Sequence, residues 1–311
     1  MKLVRNLLMV GLLLASAWQV CADGSFSGQA YLPAEDSAAS VQKTVSEFVK
    51  SGWDKEKLAD MTAHPMAFYA SSFCLPMCDM SYLRMAMRIS NPTKSIVVHY
   101  TGNVSAPETG WYRFVGAGDD MLLVRLQETD VLAVGKGWEK IKDSATAQKV
   151  KGNRKQKQDD NATVVYQFPK IQTWNTRLGG FTGGRIFKVE KGRTYKMQVL
   201  FADAADASAF CLYIEKLAAP EKAPHGKVAS SEAPLLPLFS TTTILPAVEN
   251  MANAIAKVTR NKIVEIPPFS RKPQPWAVSQ EEPVDDALEL YQSGPKQKKT
   301  RKKKKKKSKS I

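Results

Sequence analysis

The sequence has 311 residues, 43% of them hydrophobic and 24% charged, and a net charge of +15. That length allows one large domain or two ordinary ones. Positive charge is concentrated at the end of the chain, where 11 of the 45 basic residues lie in positions 296–311, and the remaining 34 face 30 acidic residues. Because the body of the chain is nearly neutral, we expect no dedicated nucleic-acid-binding domain, which would carry a basic face. No stretch beyond the N-terminus is apolar enough to span a bilayer.

The first residues have the pattern of a secretory signal peptide. Two basic residues and an apolar run, Leu7 to Leu14, are followed by a Val-Cys-Ala tripeptide that ends at Ala22. We predict cleavage after Ala22, so that residues 1–22 are a signal peptide and the mature protein is exported to the periplasm, the outer surface or the medium. The run is shorter than the roughly 20 residues of a spanning helix, which disfavours an uncleaved anchor. The large residues before Cys21 disfavour a lipoprotein.

Three cysteines remain in the mature chain: Cys74, Cys78 and Cys211. An exported chain meets oxidising conditions, and Cys74 and Cys78 are close in sequence, so a local Cys74–Cys78 disulfide is predicted, with free thiols as the alternative. A structural zinc ion needs four ligands, and no second Cys or His pair is nearby, which disfavours a metal site here.

The next region is predicted to be helical. Apolar residues recur at helical spacing within residues 38–50, and Gly52 is placed to end that helix. A short helical pair is expected to continue to Met61. Residues 23–93 are therefore assigned to a helical N-terminal segment that leads into the next domain.

From Ser95 onward the pattern changes to short segments rich in β-branched and aromatic residues, separated by Gly, Asp or Asn. The predicted strands are 96–100, 110–114, 121–126, 163–166, 185–189, 195–201 and 209–214. Many short strands with turn signals between them predict a mainly β fold, an antiparallel β-sandwich over residues 94–217. The polar run 149–160 is predicted to be a solvated loop.

Proline, alanine and serine dominate after Leu217, so a domain boundary is predicted there, followed by a Pro-rich linker over 218–295. One amphipathic helix is expected at 246–259. Its polar face lacks the lysine bias of interfacial helices, which favours packing on the domain or on a protein partner over membrane insertion. Residues 296–311 cannot bury apolar surface and are expected to form a disordered polylysine tail.

The stretch from Glu108 to Leu132 carries the most information. A Gly-Trp-Tyr-Arg-Phe strand leads into the acidic turn Asp119-Asp120 and then into an apolar strand. This pattern resembles the protective-antigen (PA-14) domain family, a lectin-like β-sandwich found in bacterial toxins, glycosidases and yeast adhesins. Residues 184–201, a strand, a Glu-Lys-Gly turn and a Tyr-led strand, match the family's second element. The resemblance covers roughly residues 94–217.

The resemblance implies a ligand site at the acidic turn. In the adhesin branch of the family the Asp pair binds calcium, which coordinates sugar hydroxyls, so Asp119 and Asp120 are the implied Ca²⁺ ligands. Calcium takes 6–8 oxygen ligands, and two carboxylates supply only some of them. The alternative is that both residues cap the turn by accepting hydrogen bonds from backbone N–H groups. Met121 stands where the family usually has glycine, which weakens the transfer of ligand chemistry.

Catalytic patterns are missing from the sequence: no nucleophile elbow, phosphate loop, zinc motif or Cys/His arrangement is present. His99 falls within a strand pattern and is predicted to be a core histidine rather than a catalytic base. Tyr112 and Phe114 are predicted to fill the core. Trp138 and Trp174 flank the long segment between the two matched elements and are predicted to be exposed platforms for sugar rings.

These observations predict a non-catalytic exported module that binds carbohydrate or cell-surface glycan with the help of calcium. The alternative is a structural or assembly protein of the cell envelope, held to an anionic polymer or membrane by its tail. The polyanion-binding residues would then be Lys302, Lys303, Lys304, Lys305, Lys306 and Lys307. A solubilising end without a partner is the remaining interpretation of the tail.

Overall fold

The computed structural model describes residues 26–70, 73–90, 94–135, 164–204, 207–229, 236–237 and 276–292. The strands are β1 (Phe26–Leu32), β2 (Thr62–Ala70), β3 (Cys74–Asp79), β4 (Ile96–Ser105), β5 (Gly110–Asp119), β6 (Met121–Leu126), β7 (Thr129–Val134), β8 (Val164–Gln167), β9 (Phe181–Gly183), β10 (Phe187–Val189), β11 (Thr194–Asp203), β12 (Ala207–Leu217), β13 (Gly226–Ala229), β14 (Leu236–Pro237), β15 (Ala277–Ser279) and β16 (Glu289–Leu290). The helices are α1 (Ala38–Lys50), α2 (Met80–Ala86) and α3 (Gln172–Arg177), with 3₁₀ turns at Lys55–Leu58 and Pro220–Lys222. The predicted mainly β fold is confirmed.

Two sheets form the architecture. The first sheet has the order β2-β1-β4-β11-β6-β7, with β15 also paired to β4. The second is built around β5 and β12: β3 and β14 pair with β12, while β9-β8-β13 and β10-β16 extend from β5. All recorded pairings are antiparallel except that of β13 with β8. Because a single buried cluster contains side chains from both sheets, they form a sandwich.

The first sheet is buried on both of its faces. On β6, Leu122, Val124 and Leu126 join the core between the sheets, whereas Met121 and Leu123 pack on the opposite face. The same alternation occurs on β4 and β11, as the period of two in a strand requires. Because both faces of the sheet are covered, every residue of β6 is buried and its sequence shows no regular alternation of apolar and polar residues.

Helix α1 covers the outer face of the first sheet, with the bounds that the sequence predicted. The Ser37 hydroxyl oxygen accepts a hydrogen bond from the Ser40 N–H at 3.2 Å, which caps the first turn. The helix ends before Gly52, whose φ of 82° requires the left-handed region. The apolar stripe is buried against the sheet through Val41, Val45 and Phe48.

The N-terminal residues 23–93 differ from the predicted helical segment. Strand β1 lies between β2 and β4 inside the first sheet, and β3 pairs with β12 in the second. Their sequences are poor in β-branched residues, so propensity gave no strand signal. Gly28 of β1 instead packs against the ring of Tyr100 on β4, and a Cβ at position 28 would lie 2.3 Å from that ring. Close packing on a neighbouring strand, rather than propensity, fixes β1.

The domain also extends past the predicted boundary at Leu217. Residues 276–292 return to the sandwich, where β15 pairs with β4 and β16 pairs with β10. Trp276 is 1% exposed and its ring contacts those of Tyr112 and Phe114. Prolines in this region prevent long regular elements but not two short strands and a buried tryptophan. The predicted linker is therefore wrong for these residues.

A buried charge network holds the chain just after β12. Arg113 is fully buried, and its guanidinium donates to Glu215 Oε2 at 2.5 Å, to the Tyr166 hydroxyl at 2.9 Å and to the Pro224 carbonyl at 3.3 Å. Tyr166 in turn donates to Glu215 Oε1 at 2.7 Å. Since a buried charge is tolerated only when it is paired and hydrogen-bonded, this network ties the chain at residue 224 to the sheet.

Several predictions concern other residues. The signal peptide 1–22, the loop 149–160, the helix 246–259 and the tail 296–311 lie outside the described residues. Within the described part of the chain, no helix has the length and apolar character needed to cross a membrane.

Between helix α1 and the first sheet lies His99, which is 2% exposed and hydrogen-bonded through Nε2 to Gln198 Oε1 at 3.0 Å. The rings of Phe48 and Trp53 pack against the imidazole. Burial, and next the positive charge of Lys55, lower the pKa of His99 from 6.5 to about 4. The residue is a core histidine, as predicted.

The lowered pKa of His99 predicts that acid loosens the sandwich. Between pH 6.5 and about 4 the unfolded chain takes up a proton that the folded chain does not. The free energy of unfolding should therefore fall by up to about 3 kcal/mol as the pH drops through that range. Urea denaturation at a series of pH values measures it. The His99→Gln variant should lose this component, whereas the exposed His225→Gln control should keep it; identical profiles for all three proteins would contradict the prediction.

Removing the C-terminal segment should destabilise the domain. Deletion of residues 276–311 exposes the Trp276 site, and loss of a buried tryptophan costs about 3–5 kcal/mol. We expect the Tm to fall by roughly 10 °C or more. Deletion of residues 293–311, which leaves β15 and β16 in place, is the control and should leave the Tm unchanged. Equal Tm values for the two truncated chains would mean that residues 276–292 do not belong to the fold.

Candidate functional site

The acidic turn is the point where the chain passes from one sheet to the other. Strand β5 ends at Asp119 in the second sheet, and β6 begins at Met121 in the first. Next to it, β11 of the first sheet continues into β12 of the second. The Asp120 N–H donates to the Ala202 carbonyl at 3.0 Å, and Asp120 Oδ2 accepts from the Ala204 N–H at 3.1 Å. Two crossovers are thus joined at one end of the sandwich, which we call the acidic corner (residues 118–121 and 202–204).

Tight backbone packing surrounds the acidic corner. A Cβ on Gly135 would lie 1.8 Å from the Asp120 carbonyl oxygen, and one on Gly118 would lie 2.8 Å from the Leu122 Cβ. Gly135 also has a φ of 111°, a conformation that L side chains rarely adopt. The peptide bond between Asp119 and Asp120 is cis. Glycine at 135 therefore allows the end of β7 to pass directly against Asp120, and glycine at 118 allows Leu122 of β6 to pack directly on the backbone of β5.

Asp119 is buried and paired with an arginine. Its side chain is 7% exposed, and its Oδ2 accepts a hydrogen bond from Arg177 Nε at 3.1 Å and lies 3.1 Å from Arg177 Nη2. The Arg177 side chain is 40% exposed, so the pair lies at the surface with the guanidinium on the solvent side. Of the two aspartates of the acidic turn, only Asp120 is partly exposed. No sequence pattern links Arg177 to Asp119, which is 58 residues away.

Helix α3 positions Arg177 through a buried tryptophan. Trp174 is fully buried, and its ring stacks on Phe181 with centroids 5.3 Å apart. The Asn175 side chain donates to the Phe168 carbonyl at 2.8 Å, which fixes the same helix to the chain before it. The prediction of Trp174 as an exposed sugar platform is therefore wrong, because α3 turns it into the core. Trp138 lies outside the described residues.

Two further aspartates lie at the same end of the sandwich as the acidic corner. Strand β12 pairs Ala209 with Asp119 and Ala207 with Asp79, and β11 ends at Asp203. Burial first, and then the charges of Asp203 and Asp79, raise the pKa of the Cys78 thiol to about 12. The end of the sandwich that holds the acidic corner is therefore rich in negative charge.

The described residues do not supply a calcium shell. Asp119 Oδ2 faces a guanidinium and Asp120 Oδ2 a backbone amide, both of them hydrogen-bond donors. Across the described ranges, no group of three or more His, Cys, Asp or Glu side chains is arranged to hold a metal ion. The bond from the Ala204 N–H to Asp120 is of the kind that the turn-capping alternative expects. Calcium ligation by Asp119 and Asp120 stays a prediction.

The structure does not bring Cys74 and Cys78 together. They lie four residues apart on strand β3, a separation of about 13 Å in extended chain, whereas a disulfide requires Cα atoms within about 7 Å. The three cysteines among the described residues are free and buried, and Cys74 lies opposite Cys211 on β12. The predicted Cys74–Cys78 disulfide is therefore wrong, because a strand holds the two residues apart. Their close spacing in the sequence does not reveal that they lie on one strand.

The other candidate residues lie away from the acidic corner. Tyr112 and Phe114 are in the core, as predicted, at 2% and 0% exposure. His64, which precedes Pro65, lies within β2. His99 is held in the interface between α1 and the first sheet.

Comparison with known proteins gives a coarse likeness to solved structures. No family profile matches the sequence, and no curated protein matches it. The chain is similar to a PA14 sugar-binding domain from an RTX adhesin, with 12% identity and a TM-score of 0.36 over 63% of this chain and 91% of that one. It is similar to the PA14 domain of an antifreeze protein, with 12% identity and a TM-score of 0.38 over 72% and 97%.

A third similar structure is the A domain of epithelial adhesin 6 from Candida glabrata in complex with Galβ1-3GlcNAc, with 11% identity and a TM-score of 0.34 over 66% of this chain and 85% of that one. Two of these three similar structures are PA14 domains. At such identities and scores, the function of this chain has to be argued from its own residues.

The Asp119–Arg177 pair should stabilise the fold more than an exposed pair does. We expect a double-mutant cycle with Asp119→Asn and Arg177→Gln to give a coupling energy of about 1–2 kcal/mol, because one partner is buried and the other is partly screened by water. Arg193 and Asp286, 2.7 Å apart with both side chains well exposed, form the matched control. Their coupling should stay below about 0.5 kcal/mol. Chemical denaturation measures both cycles, and equal couplings would show that Asp119 is not buried with its partner.

Proposed function

We propose that the chain is an exported, non-catalytic module that binds glycans at the acidic corner. The observation that carries the proposal is the Asp119–Arg177 ion pair at one end of the sandwich, in which the Arg177 side chain is 40% exposed. The family resemblance of residues 94–217 points to the same class of ligand.

Sugar hydroxyls both donate and accept hydrogen bonds, so a site for them needs both kinds of partner. Arg177 uses Nε and Nη2 on Asp119, which leaves other N–H groups of its five to donate to a ligand. Asp120, the residue after Asp119, is partly exposed and offers carboxylate oxygens as acceptors at the same corner. The arrangement therefore supplies a donor and an acceptor on one small surface.

Rigidity supports the same proposal, because a preorganised site loses less entropy when it binds. Asp120 is held by hydrogen bonds to Ala202 and Ala204, and Arg177 is held by Asp119 and by the buried Trp174 on its helix. Loops at the end of a sandwich are frequent binding surfaces for this reason. In this proposal Asp119 positions Arg177 and does not itself contact the sugar.

A hydrolytic role fits the acidic corner less well. Glycosidases place two carboxyl groups on facing walls, about 5–10 Å apart, with the scissile bond between them. Asp119 and Asp120 are consecutive, and the first is already neutralised by Arg177. Such a pair suits binding.

Attachment through the tail is a second candidate function, favoured by the concentration of charge at 296–311. Eleven basic residues there can hold an anionic polymer or membrane by electrostatic attraction, worth about 1 kcal/mol for each residue near a charged surface at low salt. The segment before the tail, residues 276–292, packs on the sandwich. Attachment by the tail would therefore hold the glycan-binding domain close to that surface.

A glycan array probed with purified protein tests the first proposal. Binding to one glycan class should fall at least tenfold in Arg177→Gln and Asp120→Asn, because each loses a direct hydrogen bond. The matched control is Arg193→Gln, which removes an arginine of similar exposure, 39%, at the opposite end of β11. Binding that is equal in all variants, or no binding to any glycan, would contradict the proposal.

The same array tests whether calcium takes part in glycan binding, and a vesicle-binding assay tests attachment by the tail. Loss of binding with EDTA and its return with calcium would support calcium ligation at Asp119 and Asp120, while binding that persists in EDTA would assign recognition to Arg177 and Asp120 alone. Deletion of residues 296–311 should leave glycan binding intact. If attachment by the tail is correct, that deletion removes the salt-sensitive binding to vesicles that contain anionic lipid.

A further inference from the structure

Cys74 and Cys211 are the pair of cysteines that the fold brings together. Cys74 begins strand β3, which pairs with β12 and has no second neighbouring strand in the described part of the chain. In the register of these strands Cys211 stands directly opposite Cys74, and Cys78 stands opposite Ser208. The two opposed thiols come from parts of the sequence that are 137 positions apart.

The backbone hydrogen bond next to Cys74 and Cys211 shows which kind of antiparallel residue pair they form. The Leu212 N–H donates to the Phe73 carbonyl at 2.8 Å, which joins the residue after Cys211 to the residue before Cys74. In an antiparallel ladder this bond marks Cys74 and Cys211 as a non-hydrogen-bonded pair, in which Cα atoms are about 4.5 Å apart and side chains are closest. A disulfide requires Cα atoms roughly 4.4–6.8 Å apart. The ladder thus sets the spacing for a cross-strand bond.

Both thiols lie in the core cluster, at 7% and 0% exposure. Cys74 and Cys211 are hydrogen-bonded to one another, and burial raises the pKa of the Cys74 thiol. Tyr213 lies two residues farther along on the same face of β12, and burial first, then the neighbouring Cys211, raises its pKa. No cluster of metal ligands forms within the described residues, so these sulfur atoms are not arranged as part of a metal site.

We propose that Cys74 and Cys211 form a cross-strand disulfide when the chain folds in an oxidising compartment. The oxidant is a small-molecule or enzyme disulfide such as oxidised glutathione. One cysteine thiolate attacks the oxidant and gives a mixed disulfide, and the second cysteine displaces the remaining glutathione. Two protein S–H bonds are lost and one protein S–S bond forms. The two electrons and two protons reduce one oxidised glutathione to two molecules of glutathione.

The bond forms while β3 docks, before burial. A thiolate is the nucleophile in this exchange, and burial in the finished core disfavours it. Cys78 is excluded as the partner of Cys211, because it lies opposite Ser208, three positions along β12, or about 10 Å away in extended chain. The disulfide fixes β3 to the centre of the second sheet, and residues 75–210 lie within the loop that it closes.

Refolding of the full chain in a buffer of reduced and oxidised glutathione tests the proposal. Free thiols are alkylated under denaturing conditions, and tryptic peptides are mapped by mass spectrometry. The expected product joins the peptide of residues 58–84 to the peptide of residues 197–216. Because the first peptide also contains Cys78, the variant Cys78→Ala must retain the cross-link, while Cys74→Ala and Cys211→Ala must lose it. Reduction should lower the Tm of the wild type by about 10 °C.

Full alkylation of Cys74 and Cys211 after oxidative refolding would overturn the proposal, and so would a bridge that involves Cys78. Fragmentation of the wild-type peptide pair gives the same answer if an alanine variant fails to fold. A Tm that is unchanged by reduction would show that the bond does not fix β3. The outcome is independent of glycan binding, because neither cysteine belongs to the acidic corner.

Discussion

The structure depends on how the chain passes between its two sheets at one end. The connection from β5 to β6 and the connection from β11 to β12 run side by side, and Asp120 joins them through its backbone N–H and its carboxylate. A sandwich needs such crossovers, because its strands are hydrogen-bonded within their own sheet and the two sheets otherwise meet only through packed side chains. With these crossovers fixed, β5, β6, β11 and β12 are set in register across the core. The same backbone constraint that closes the fold also presents the candidate site.

Around that corner, side chains and covering segments act together. Helix α1 buries the outer face of the first sheet, and Trp276 brings residues 276–292 back onto the sandwich. Helix α3 is anchored by Trp174, and this determines that Arg177 reaches the Asp119 carboxylate. The position of Arg177 is therefore set by the packing of Trp174, which lies about one turn earlier on the same helix. A site built this way is rigid, which is what recognition of a weakly bound, polar ligand requires.

Much of the fold could be predicted from sequence because local patterns agree with burial. Helix α1 has a clear apolar stripe, and the seven predicted segments after Ser95 each contain a strand. The missed parts are those where tertiary contact overrides propensity: β1 with Gly28 packed on Tyr100, and β15 and β16 among prolines. The aspartates could be found as a motif. Arg177, the partner of Asp119, and Cys211, the partner of Cys74, could not, since pairing in space leaves no spacing rule in one sequence.

The most direct test of this account is native-state hydrogen exchange at the acidic corner. The amides of Asp120 and Ala204 belong to residues in a bend and a loop, yet both are hydrogen-bonded across the two crossovers. If the acidic corner holds the sheets together, these two amides should exchange as slowly as the amides of the central strands β5 and β11. Exchange at the rate of an unprotected loop would show that the crossovers are not joined, and both the proposed origin of the fold's rigidity and the proposed binding surface would then be wrong.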